Sequence, residues 1–147
     1  MSAIELQTAA RIVDLCLAHG RSLKLAPLAV ALLDARGQLK CFKAEDGTSL
    51  LRADIAIAKA WGALGMGFGT RELARRAAAA PAFFGALQAL SQGRIVPAPG
   101  GVLIRAANRE LLGAIGISGD ASDRDEECGV AAISAAGLIA DPGAAAG

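Results

Sequence analysis

Apolar and polar positions alternate along this chain with two periods, and the change between them marks out its elements. Residues 4–18 carry Ile4, Ala9, Ile12, Val13, Leu15, Cys16 and Leu17 as a stripe broken by Glu5, Gln7, Arg11 and Asp14, the pattern of an amphipathic helix. Gly20 is expected to close it. Leu28–Leu33 and the alternating Gln38–Lys43 flank Asp34-Ala35-Arg36-Gly37 and predict a hairpin. From Ala53 to Leu64 apolar residues point in every direction, with Asp54 and Lys59 the only charges. Such a helix is expected to be buried. Thr70 is expected to cap a further helix, and Pro81 to open another that carries Phe83, Phe84, Leu87 and Leu90 at helical spacing.

The most patterned stretch runs from Pro97 to Glu127. Arg94-Ile95-Val96 reads as a short strand feeding a Pro-Gly-Gly loop, after which Val102–Arg105 and Leu111–Gly119 form a second hairpin. Glycines at 113, 116 and 119 mark places where another backbone or a ligand comes close to that strand. Ser122-x-x-Asp125 starts a helix expected to reach Leu138, with Asp141-Pro142-Gly143 as its stop. Helix, two strands, helices, three strands and a helix, in that order, predict an α+β fold with an antiparallel sheet. The domain is assigned to residues 1–140 and a flexible tail to 141–147.

At 147 residues the chain suits one domain that buries roughly 68–70% of its unfolded surface. A net charge of +1 without a basic run points away from nucleic acid. Charges interrupt every long apolar stretch, so neither a membrane span nor a signal segment is expected. Cys16, Cys41 and Cys128 are spaced neither as zinc ligands nor as a disulfide framework, which suits a reduced, cytoplasmic protein. Apolar residues make up 54% of the chain but aromatic ones only 3%. Alanine and glycine supply the difference, which permits close packing of elements and of subunits.

The Gly100-Gly101 hairpin followed by Gly113-Ala-Ile-Gly-Ile-Ser-Gly119 and the acidic helix start resembles the GlcG/HbpS-like family, described as haem-binding or haem-degrading and related to the PduO C-terminal domain. Ala29–Gly37 resembles that family's first strand and turn, and Lys59-Ala60 followed by Thr70 its Lys-Ala helix and following threonine. The match covers roughly residues 4–140. The resemblance implies a profilin-like sandwich, with helices packed on a five-stranded antiparallel sheet, and assembly into dimers or larger rings. It also implies a small ligand of the haem or corrinoid type, with a sensor or operon-accessory role. The residues assigned to its pocket are His19, Lys59, Gly100, Gly101 and Gly116.

Each assignment has a plainer alternative. His19, the sole histidine, is the one imidazole able to ligate iron or move a proton, but a helix-end histidine beside Gly20 is also explained as an exposed residue. On that account haem would adhere instead to the Phe83–Phe84 surface, which itself reads more simply as core. Lys59 either pairs with an acid or meets an anionic ligand. Asp46 and Arg52 lie in or beside a turn cluster. The acids at 123–127 suit a helix dipole without any metal. Two competing functions remain: an enzyme acting on a small hydroxy or keto acid, with Lys59 or Arg52 binding its carboxylate, and a structural oligomer without ligand. A pocket between the Pro-Gly-Gly loop and the 53–64 helix would favour binding or catalysis, and a filled core there the oligomer.

Overall fold

The computed structural model describes residues 3–143. The elements run α1 (Leu6–Ser22), β1 (Ala29–Asp34), β2 (Leu39–Ala44), α2 (Arg52–Met66), α3 (Thr70–Ala79), α4 (Pro81–Leu90), β3 (Gly101–Arg105), β4 (Leu111–Ser118), α5 (Ser122–Ala135) and β5 (Ile139–Asp141). The strands form one antiparallel sheet in the order β2-β1-β4-β3-β5. Helices α1 and α5 cover one face and α2 the other, so the expected α+β sandwich on five antiparallel strands is the fold observed.

The two faces differ in side-chain size. Towards α1 and α5 the strands send Val30, Leu32, Val102, Ile104, Ile115 and Ile117, which pack with Ile12, Val13, Cys16, Cys128 and Ile133. Each such aliphatic side chain contributes about 1.5–3 kcal/mol on burial. Towards α2 they send Ala29, Ala31 and Ala114 beside Leu33 and Leu103, answered by Ala56, Ala60 and Ala63. These small residues let α2 lie close against the sheet.

Four boundaries differ from expectation. Gly20 does not end α1: it lies buried inside the helix, where a Cβ would come 2.6 Å from Leu28 Cδ1, and the turn falls instead at Lys24 with φ 57°. Residues 94–96 are not a strand; Ile95 O accepts a hydrogen bond from Gln88 Nε2 at 2.8 Å rather than from a strand partner. The fifth strand is residues 139–141, read from the sequence as helix end and stop. It pairs with β3 because α5 ends at Ala135 and Gly137, at φ 80°, turns the chain back. Part of the expected tail is thereby tied down, since Asp141 closes β5 and Pro142 O accepts from Arg71 N at 3.3 Å. Its remainder, 144–147, lies outside the described residues. Among the described residues no helix is long and apolar enough to cross a membrane.

Helix α4 departs furthest from the core reading of Phe83, Phe84, Leu87 and Leu90. None of its residues is buried, and Phe83 and Leu90 are 64% and 82% exposed. It packs on α3, which in turn rests on α2 and β3.

Candidate functional site

Lys59 leaves the buried side of α2 between Ala56, Ala60 and Ala63, and its ammonium is almost wholly buried. Its Nζ donates to Ile117 O at 2.8 Å and to Asp125 Oδ2 at 3.3 Å. Burial pushes the lysine pKa down and the aspartate pKa up, while each charge draws its partner back towards ionisation. Asp125 Oδ1 also accepts from Asp120 N at 3.0 Å, which fixes the entry to α5. The expected serine cap is absent: Ser122 begins the helix, and Asp125 supplies the bond from within it. Beside this pair Arg52 Nη1 donates to Ser118 Oγ at 3.1 Å.

Gly100, Gly101 and Gly116 surround the same lysine. At Gly100 (φ 121°) a Cβ would lie 2.8 Å from Lys59 Nζ; at Gly101 it would strike Lys59 O and lie 2.6 Å from Thr70 Cγ2; at Gly116 it would strike Ala56 O. Thr70, expected only to cap α3, receives Gly101 N on its hydroxyl at 2.7 Å. Lys59, Arg52 and the three glycines are thus brought together, with Ser118 and Asp125, which the sequence did not single out for the site. It is α2 that approaches the glycines, with Lys59 and Ala56 atoms where their Cβ atoms would stand.

His19 is not part of this cluster. It stands at the end of α1, on the opposite face of the sheet from α2, with its side chain 31% exposed. Its Nε2 lies 3.3 Å from Glu127 Oε2 on α5, and this contact, with Arg124, holds the Glu127 carboxyl below its usual pKa. The acidic start of α5 is spent on ion pairs: Arg71 holds Asp123 at 2.7 Å and Glu126 at 3.0 Å, which ties α3 to α5. Asp46 lines an open cleft of about 440 Å³ with Arg21, Pro27, Ala44 and Glu45. An apolar cleft of about 220 Å³ separates α3 from α4 and has Phe83, Phe84 and Leu87 on its α4 side.

The crystal structure of a PduOC–haem complex superposes with a TM-score of 0.85 at 26% identity, covering 93% of this chain and 97% of that one. Protein ORFY of Klebsiella pneumoniae matches with a TM-score of 0.83 at 23% identity over 93% and 92%, and HbpS with 0.78 at 22% over 92% and 91%. A search of curated proteins finds no match. The family model for haem degrading protein HbpS-like covers residues 4–134, nearly the whole described fold from α1 to α5, and this chain belongs to that family.

Proposed function

We propose that this protein binds haem and holds its iron through His19. The observation that carries the reading is the imidazole paired with Glu127 across α1 and α5. A carboxylate in that position favours the tautomer protonated on the nitrogen facing it and leaves the other nitrogen free for a metal, the usual support of a ligating histidine. It also removes the objection drawn from sequence, that His19 is a lone exposed residue. Leu15 and Leu23, one helical turn to either side, extend the same helix face with apolar surface. The haem complex formed by PduOC supports haem over a corrinoid. Bound haem would supply iron-centred ligand and electron chemistry; the protein's part is to present the imidazole and fix its orientation.

Titration with haemin is expected to give a saturable Soret shift at one equivalent per chain. His19→Ala is expected to weaken binding at least tenfold, an effect on the order of 1.4 kcal/mol, with unchanged circular dichroism because the lost ion pair is partly exposed. Wild-type protein that never saturates would remove the haem reading. Saturation that survives His19→Ala would remove His19 from it.

The close approach of α2 to the glycines around Lys59 favours a second reading, a structural oligomer. The same packing leaves a hydroxy- or keto-acid enzyme without Lys59, which is engaged internally with Ile117 O and Asp125. We also infer a cytoplasmic homo-oligomer, dimer or larger. Leu50 and Leu51, just before α2, are 91% and 62% exposed, and adjacent leucines left in water are characteristic of a subunit contact. Light scattering is expected to give at least twice the chain mass, falling to the monomer in Leu50→Glu/Leu51→Glu. A monomeric wild type at every concentration tested would refute the inference.

A further inference from the structure

Helix α4 packs on α3 and covers little of its own apolar surface. Nine of its ten side-chain positions are apolar, alanine, glycine or proline, with Gln88 the exception, yet none is buried. The cleft it forms with α3 is concave and is lined by Met66, Leu73, Phe83, Phe84 and Leu87, with Arg75 and Arg76 also on its wall. At about 220 Å³ it is smaller than the roughly 300–1,000 Å³ of pockets that hold drug-sized ligands, and much too small to enclose a tetrapyrrole.

Its charge is unbalanced in one place. Glu72 takes a two-point contact from Arg75, through Nε at 2.8 Å and Nη2 at 2.5 Å, and a single one from Arg76 Nε at 2.8 Å. These bonds pull the Glu72 pKa down to about 2, so it is ionised at neutral pH and offsets one guanidinium. The second charge is in excess. Arg76 lies over the Phe68 ring, 4.5 Å from its centroid, which holds the guanidinium plane in place. Its terminal nitrogens have no acceptor within hydrogen-bond distance among the described residues. A guanidinium with a free edge beside an apolar slot is complementary to a carboxylate on an apolar body.

We propose that the α3–α4 cleft binds a medium-chain carboxylate, with its hydrocarbon on Phe83, Phe84, Leu87 and Met66 and its carboxylate on Arg76. The site lies on the opposite side of the sheet from His19 and is independent of haem. The full chain, free of haem and labelled with nitrogen-15, is titrated with decanoate and separately with decanol. Saturable one-to-one decanoate binding is expected, with amide shifts confined to residues 66–90. Arg76→Gln is expected to weaken decanoate at least tenfold and leave decanol unchanged. Phe84→Asp, a substitution outside the core, is expected to abolish both at unchanged circular dichroism. Equal affinity for decanoate and decanol, or shifts that do not saturate or that spread to Leu50 and Leu51, would overturn the proposal. So would self-association that protects α4 amides without ligand, because a second copy would then occupy the cleft.

Discussion

Replacing Gly116 by alanine is expected to lower the melting temperature by on the order of 10 °C or more, although only one methyl group is added. That methyl would run into Ala56 O, with Ala60 N 2.8 Å away. Both are backbone atoms in the middle of α2, so no side chain can turn aside and the helix itself must lift off the sheet. Lifting it opens the contacts of Ala60 and Ala63 with Leu33, Leu103 and Ala114. The cost is placed at about 3 kcal/mol or more, at the top of the range for an overfilled close-packed core because the obstructing atoms are backbone, and each kcal/mol moves the midpoint of a domain of this size by roughly 2–4 °C. Gly65→Ala supplies the opposite sign. Gly65 lies in the same helix with nothing within 4 Å of a Cβ, so the substitution is expected to stabilise by about 0.5–1 kcal/mol through helix propensity. Thermal melts of the two variants measure both. A Gly116→Ala protein that melts within a few degrees of wild type would show that α2 does not press on β4 as described.

The second large effect is expected from Lys59→Met, at about 3–5 kcal/mol. The methionine fills similar volume, so the loss comes from Asp125, left buried without its cation. With Lys59 gone, the Asp125 pKa, already raised by burial, rises further. A carboxyl whose folded pKa exceeds its unfolded one binds more protons in the folded state, so stability is greatest at low pH and is lost as pH rises through the folded value. Urea unfolding of the variant should therefore show stability recovering as pH is lowered from 7 towards 5. Lys59→Met/Asp125→Asn keeps an acceptor for Asp120 N and removes the charge, and is expected to restore more than half of the loss at pH 7. If Lys59→Met costs under about 1 kcal/mol, or the double variant is no better than the single one, the pair is not what holds α2 and α5 together.

The layers were legible because period and residue size carried them. The stripe of Ile12, Val13 and Cys16 states a burial pattern that the sheet then realises, whereas the edge strand β2 shows no alternation, with Leu39 53% exposed, and α2 is buried on its sheet side alone, with Ile55, Ile57, Trp61 and Leu64 half-buried. Lys59 was legible in kind, as a lysine that had to be paired, but its partner was not. Asp125 looked like one of several acids at a helix start, and only the sheet brings it within 3.3 Å of a residue far away in sequence. The glycines pointed to a close approach without saying by what, since a ligand and a helix backbone make the same demand for a missing Cβ. Residues 139–141 were lost for a related reason: three residues carry no periodicity of their own, and they become a strand only because the edge of β3 lies open beside them. Gly20 misled because a buried glycine within a helix and a glycine that ends one are the same letter.

The sheet order also governs how this protein can be made. The first hairpin, β1 with β2, uses neighbouring segments and can close early, but β1 borders β4 on its other edge, with Ala29 opposite Ser118. During synthesis the buried strand Ala29–Leu33 therefore waits with one edge unpaired until most of the chain has left the ribosome, and α1, whose partner is α5, waits longer still. Long-range pairing of this kind is slow and leaves a sticky edge exposed in the meantime. Premature release, truncation before β4 or crowding of nascent chains should therefore yield aggregates seeded at β1, even where the finished fold is stable.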